Sequence, residues 1–292
     1  MKPPPFEYTR PGTIEEALET LHEIGDEGKV LAGGQSLIPL LAFRMARPRH
    51  LTDITRISEL DHVELRDDGV LSMGALATHR SIETDAELKV RCPAINEAVS
   101  QIGHVAIRNR GTVGGSMAHA DPAAEWPALA LLFDARFHLR SRTGERTVPA
   151  RDMFVTYMTT ALAPDELLVE VEMHLPPPDA GTAFVEVSRR HGDFAMAGAG
   201  TVLRVEDGVV SDARMSMMSA GMTAVRGDAA EQMLIGQEPT DELLSRAADA
   251  IDSDIDPLED VHGPAEYKRH LVRVVTLRAL RAARARSTGA QR

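Results

Sequence analysis

A short apolar run that ends in two adjacent glycines and opens directly into a helix constrains this chain more than any other feature. Lys29-Val30-Leu31-Ala32 reads as a buried strand, runs into Gly33-Gly34-Gln35-Ser36, and continues as an apolar helix over residues 37–43. Pro39 falls in the first turn of that helix, where a missing N–H costs little. Glycine in such a loop tolerates positive φ and removes the Cβ that would hold an anion away. The helix start adds amide donors and a partial positive charge, and Ser36 can cap its own helix or donate to a phosphate oxygen. Alone, the loop is better explained as a plain tight turn. A second loop repeats the chemistry: Gly111-Thr112-Val113-Gly114-Gly115-Ser116 supplies glycine N–H groups and two hydroxyls, with Arg108 and Arg110 just upstream to raise the local potential. Two such loops suit a pyrophosphate, which takes donors from two sides. Neither contains G-x-G-x-x-G or is followed by Gly-Lys-Ser/Thr, which disfavours a Rossmann dinucleotide site and a Walker-type ATPase.

The surrounding pattern places these loops in an α+β chain. Thr13 and Glu16 form a capping-box signature ahead of Ile14, Ala17, Leu18, Leu21 and Ile24 at helical spacing, with Gly25 as the stop. Residues 51–54 read as a further strand. Asp67-Asp68-Gly69 marks a hairpin between residues 62–65 and 70–73, and Arg142-Thr143-Gly144-Glu145 marks another between 137–141 and 146–148. Residues 94–102 and 123–132 are predicted helical, and 167–175 a strand. Pro176-Pro177-Pro178-Asp179-Ala180-Gly181 is the strongest boundary signal. Beyond it, runs over 183–189, 195–205 and 209–217 predict a three-stranded antiparallel sheet, followed by helices over 225–234, 242–252 and 265–284. The length of 292 residues fits two domains, 1–176 (subdomains about 1–57 and 58–176) and 177–292, with disorder expected only after about Arg286.

Composition removes several function classes. Net charge is −12, which argues against a general nucleic-acid binder. The C-terminal run Arg273, Arg278, Arg281, Arg284 and Arg286 reads as a solvated helix face. A single cysteine, Cys92, excludes an intrachain disulfide and a four-thiolate iron–sulfur cluster; preceding Pro93, it reads as an inert thiol. The Met1-Lys2-Pro3-Pro4-Pro5 start is not followed by an apolar run, and no stretch approaches the ~20 apolar residues that span a bilayer, so a cytoplasmic location is expected. His79, His104, His119 and Asp121 are not spaced as metal ligands, and Ser36 and Ser219 lack a nucleophile-elbow context.

Taken in order along the chain, the motifs resemble the FAD-binding medium subunits of the carbon monoxide dehydrogenase and xanthine dehydrogenase (molybdenum hydroxylase) family. Ala32-Gly33-Gly34-Gln35-Ser36-Leu37 with Arg49-His50-Leu51-Thr52-Asp53-Ile54 is similar to one segment. Arg108-Asn109-Arg110-Gly111-Thr112-Val113-Gly114-Gly115-Ser116 with Asp121-Pro122-Ala123-Ala124-Glu125 is similar to a second, and His191-Gly192-Asp193-Phe194-Ala195 to a third. The resemblance implies a bipartite FAD-binding domain of vanillyl-alcohol-oxidase (PCMH) type and a C-terminal α+β domain. It implies that Ala32, Gly33, Gly34, Gln35, Ser36, Leu37, Gly111, Thr112, Gly114, Gly115 and Ser116 surround the FAD pyrophosphate. Ile102 and Leu168 match apolar flavin contacts. Glu125 stands where relatives usually carry a ribose-binding aspartate, Phe194 where close relatives carry tyrosine beside the isoalloxazine, and Gln35 where histidine is common.

The resemblance further implies a heteromeric complex: a molybdopterin-binding large subunit, a small subunit with two [2Fe–2S] clusters, and this chain passing electrons through FAD to an external acceptor, assembled as a dimer of heterotrimers. No catalytic acid, base or metal ligand is required of this chain for electron transfer. The competing expectations are a self-sufficient flavoenzyme of the same fold and a non-catalytic assembly subunit.

Overall fold

Thr13 sets the start of the first helix. Its hydroxyl accepts the Glu16 N–H at 3.2 Å, while the Glu16 carboxylate reaches back one residue further than a standard capping box and accepts from the Gly12 N–H at 2.7 Å. The computed structural model describes residues 2–287, so the tail beyond Ser287, where disorder is expected, lies outside the described residues. β1 (Glu7–Thr9), α1 (Ile14–Ile24), β2 (Gly28–Leu31), α2 (Leu37–Ala42) and β3 (His50–Asp53) form the first unit, a parallel sheet of order β1-β3-β2. Ile14, Ala17, Leu18 and Leu21 bury one stripe of α1 against Ile54, Ile57 and Leu60.

The second unit is an antiparallel sheet of order β4-β5-β10-β6-β7, formed by β4 (Val63–Leu65), β5 (Val70–Gly74), β6 (Arg136–Ser141), β7 (Gly144–Pro149) and β10 (Leu167–His174). Both predicted hairpins are present. Between β5 and β6 run α3 (His79–Thr84), α4 (Ala86–Arg91), α5 (Pro93–Gln101), α6 (Val105–Arg108), α7 (Val113–His119) and α8 (Glu125–Leu132). A short helix α9 (Ala150–Met153) and the pair β8 (Phe154–Thr156) and β9 (Thr159–Thr160) lead into β10.

The C-terminal sheet has four strands, not the expected three: β11 (Gly181–Ser188), β12 (Ala195–Glu206), β13 (Val209–Met218) and β14 (Val225–Arg226). Val225 and Arg226 were expected to open a helix; they pair instead with Met217 and Ser216, and the helix α10 (Asp228–Leu234) begins only after Gly227. Tertiary anchoring overrides the local pattern here, because the Arg226 guanidinium binds the Leu131 carbonyl at the end of α8 and the Glu231 carboxylate. The helices α11 (Asp241–Ala250) and α12 (Ala265–Arg286) follow, and α12 packs across β11 and β12. The basic run of α12 is not simply a solvated face. Arg281 and Arg284 both bind Asp241, at 2.6 and 2.9 Å, and Arg286 binds Glu97 at 2.6 Å. No helix among the described residues is long and apolar enough to cross a membrane.

Candidate functional site

The two glycine loops meet. A Cβ on Gly33 would lie 2.1 Å from the Arg110 carbonyl oxygen and 2.9 Å from the Gly111 Cα, so the loops press backbone to backbone. A Cβ on Gly115 would lie 3.7 Å from the Ala32 Cβ. Gly34 adopts φ +73°, the left-handed turn that steers β2 into α2.

The loops differ in what they offer a ligand. The N–H groups of Gly33, Gly34, Gln35 and Ser36 donate to no group among the described residues. Ser36 is exposed at the start of α2 and does not cap it, and the Gln35 side-chain amide folds back on the Gly33 carbonyl at 3.1 Å. The second loop, expected to supply glycine amides, does not. Val113 N–H donates to Ala77 O, Gly114 N–H to Ala75 O, Ser116 N–H to Thr112 O, and Gly115 N–H to the Thr112 hydroxyl at 3.1 Å. These amides are engaged in capping α7 and pinning it to the residues after β5. What the loop retains is the Thr112 N–H and the hydroxyl protons of Thr112 and Ser116. Arg108 is likewise unavailable: it is buried, grips Glu83 through two nitrogens at 2.9 and 3.0 Å, and donates to the Ile102 and Gly103 carbonyls. Arg110 is exposed, and its carbonyl oxygen is the atom that a Cβ on Gly33 would meet.

His79 is a support that the sequence reading missed. The Trp126 indole N–H donates to His79 Nδ1 at 3.0 Å, which leaves the ring proton on Nε2, and a Cβ on Gly111 would lie 2.7 Å from that atom. Burial, reinforced by the Arg108 charge, pulls the His79 pKa down to about 4, so the ring packs against the second loop uncharged.

Arg108 fixes the segment that carries Ile102, which is half-buried. Its neighbour His104 packs against Gly192, where a Cβ would lie 2.6 Å from the ring, and the His104 and His191 rings are 6.4 Å apart. The motif around Phe194 therefore sits beside the segment around Ile102, with Phe194 itself 61% exposed. Leu168 is not brought out to this surface; it is buried in β10 opposite Leu139, in the sheet against which α7 packs. Glu125 opens α8. Burial and the neighbouring Glu186 carboxylate push its carboxyl well above the usual range. Glu186 was also missed, though the alternation along β11 puts it on the same face as the core residue Phe184.

Two other groups of reactive side chains have structural explanations. His138, Glu170 and Glu172 bring potential ligand atoms within 4.8 Å of one another, but Arg66 bridges both carboxylates and Ser72 donates to Glu170, as in an ion-pair network on a sheet face. Cys92 is fully buried, and burial pushes its thiol up to about 11, as expected for an inert group.

Residues 4–177 match the family described as the FAD binding domain in molybdopterin dehydrogenase, and residues 182–283 match the CO dehydrogenase flavoprotein C-terminal domain. The chain is 41% identical over 291 residues to the 6-hydroxypseudooxynicotine dehydrogenase complex subunit alpha of Paenarthrobacter nicotinovorans, covering 99% of this chain and 98% of that one. It is 37% identical over 287 residues to the carbon monoxide dehydrogenase medium chain of Hydrogenophaga pseudoflava, covering 98% and 99%. A solved structure of carbon monoxide dehydrogenase from Hydrogenophaga pseudoflava superposes with a TM-score of 0.95 at 38% identity, covering 99% of this chain and all of the matched one. The chain belongs to the FAD-binding medium subunits of the carbon monoxide dehydrogenase-like molybdenum hydroxylases, a family of oxidoreductases.

Proposed function

We infer that this chain is the electron-exit subunit of a molybdenum hydroxylase complex. It would receive electrons from the [2Fe–2S] clusters of a small subunit, downstream of a molybdopterin-binding large subunit, and deliver them to an external acceptor, within a dimer of heterotrimers. The observation that carries the reading is the meeting of the two glycine loops. Free amides at Gly33, Gly34, Gln35 and Ser36 lie beside a loop that keeps the Thr112 and Ser116 hydroxyls, at a contact too close for any Cβ at Gly33. That donor set fits a diphosphate. When bound, FAD supplies the ability to accept electrons singly and release them singly or in pairs.

The protein's part is position and electrostatics. Ala32 and Gly33 allow close approach, Gly34 to Leu37 direct the first loop's amides, and Gly111, Gly114 and Gly115 hold the second loop against His79, Ala75 and Ala32. Ile102 and Phe194 would border the isoalloxazine, Leu168 would support it from the core, and Glu125 would accept from a ribose hydroxyl. The two curated relatives above are named for different substrates although they match this chain to similar extents. That supports placing substrate choice on another subunit.

The test is an absorbance spectrum of the purified chain before and after FAD addition and gel filtration. Retained flavin bands are expected. A chain that keeps no flavin overturns the reading. Co-purification of molybdenum- and iron–sulfur-containing partners from the native host is expected in addition. Turnover of a small substrate by the isolated flavin-loaded chain would favour a self-sufficient flavoenzyme instead.

A further inference from the structure

We propose that Glu186, on the first strand of the C-terminal sheet, is a further cofactor-positioning residue: with Glu125 it forms a carboxyl pair that shares one proton and holds a hydroxyl-bearing part of FAD. The proposal rests on the FAD reading above.

The two glutamates come from opposite sides of the domain boundary. Side chains alternate along β11, so Phe184 and Glu186 share the face turned toward α8, and Phe184 is part of the same buried cluster as Trp126, Leu129 and Phe133. The Ser216 hydroxyl on β13 donates to the Ala128 carbonyl at 2.7 Å, which fixes α8 over that face. In register with Glu186 on β12 stands Gly198, where a Cβ would lie 3.2 Å from the Glu186 Cβ. The strand thus leaves room for the glutamate where its other neighbours are apolar. Glu125 is the first residue of α8, and the chain just before it is tied to the same end of the sheet: Met218 pairs with Gly198, and the next residue, Ser219, donates its N–H to the Pro122 carbonyl at 2.8 Å.

Nothing among the described residues answers this pair. Glu186 Oε2 is buried without a hydrogen-bond partner. Among the described residues neither glutamate side chain takes an ion pair or a hydrogen bond from another residue, whereas Glu83, Glu166 and Glu231 each bind an arginine. Two neighbouring carboxyls in a poorly solvated place do not both ionise. Sharing one proton relieves the repulsion and leaves several acceptor oxygens, the complement of a polyhydroxylated ligand. FAD carries such hydroxyls on its adenosine ribose and its ribityl chain, and Glu125 already belongs to the expected site.

The experiment uses the full chain, stripped of flavin, with E186L and E186Q. Two quantities are read: the FAD Kd from flavin fluorescence, and the Tm of the FAD-free chain. E186L removes an unanswered buried carboxyl, so its FAD-free Tm is expected to rise, while its FAD affinity falls about tenfold, the order expected for loss of a hydrogen bond to a charged group. E186Q is expected to hold FAD within about threefold of wild type, because the amide N–H replaces the shared proton. Loss of affinity for ADP as well as FAD assigns the contact to the adenosine ribose, and loss for FMN assigns it to the ribityl chain. E186L that binds FAD as wild type does overturns the proposal, as does E186L whose FAD-free Tm falls together with its affinity, the mark of a purely structural role. A wild-type chain that binds no FAD overturns the parent reading along with this one.

Discussion

Gly33 is where the two glycine loops press together most tightly, and its neighbours are backbone atoms that cannot rotate away. With an added Cβ 2.1 Å from the Arg110 carbonyl oxygen, Gly33→Ala must force the loops apart. A cost of about 1–3 kcal/mol in urea unfolding is expected, together with loss of FAD retention. Ser36→Ala, at an exposed residue that caps nothing, should leave stability within roughly 0.5 kcal/mol of wild type. Equal stability of wild type and Gly33→Ala would show that the loops yield easily. His79 makes a second, pH-dependent prediction. Its pKa is about 4 in the folded chain against an ordinary 6.5, so between these values the unfolded chain binds the extra proton. The stabilisation from the neutral, buried ring is complete above pH 6.5 and is lost as pH falls toward 4, about 3 kcal/mol in all. Unfolding free energies measured over that range should fall more steeply for wild type than for His79→Gln. The glycines were legible in the sequence because close packing leaves a blunt signature, the absence of a side chain. Their hydrogen bonds were not: that Gly114 and Gly115 donate inward while Gly33 and Gly34 do not depends on where residues 75–77 and Thr112 lie in space. His79 escaped notice for the same reason, since nothing in its local sequence marks the partner Trp126.

Elements with their own chemistry were readable from the chain. The α1 cap, the two hairpins at Gly69 and Gly144 and the strand into Gly33 are each fixed by residues within a few positions of one another. β14 was not readable. Two residues are too few to show a period, and Val225-Arg226 precede an amphipathic run that extends the helical pattern backwards over them. What makes them a strand is Arg226. Its guanidinium is nearly buried, contacts the end of α8 through Leu131 O, and binds Glu231, whose other bond is from the Met215 N–H at 2.6 Å. One side chain therefore joins β13, β14, α8 and α10. Arg226→Ala strands a buried carboxylate and is expected to cost about 3–5 kcal/mol, the range for breaking a buried pair on one side. Adding Glu231→Gln should recover part of that loss in a double-mutant cycle. Additive effects of the two substitutions would mean that Arg226 acts through its other contacts, such as the Leu131 carbonyl, and not through Glu231.

At the scale of the whole molecule, the proline-rich stretch after Leu175 suggests two separable halves, yet the largest buried cluster runs across it. Phe184, Ala195, Val202 and Met218 from the C-terminal sheet share that cluster with Trp126, Phe133 and Phe137. Polar ties cross the same surface: Ala94 N–H donates to the Thr182 hydroxyl, Phe184 N–H to the Glu97 carboxylate at 2.9 Å, and Arg286 binds both Glu97 and the Thr182 carbonyl. Composition and turn signals locate a change of chain direction, but they cannot say whether the faces on either side pack together, because that depends on which surfaces remain apolar after each sheet forms. The shared packing predicts that the chain unfolds as one cooperative unit, and it is what would let Glu186 bear on the proposed site. The single tryptophan provides the test, since Trp126 is fully buried in the shared cluster while much of the strand and helix content lies beyond residue 180. In urea, Trp126 fluorescence and far-UV circular dichroism of the full chain should trace one coincident transition. A fragment ending at Pro177 uncovers the apolar face that β11–β13 conceal; it should keep secondary structure, lose the ordered environment of Trp126 and bind a hydrophobic dye. Two separated transitions in the full chain, or a fragment with native Trp126 fluorescence and no dye binding, would show that the halves fold independently and that the boundary acts as a hinge between autonomous domains.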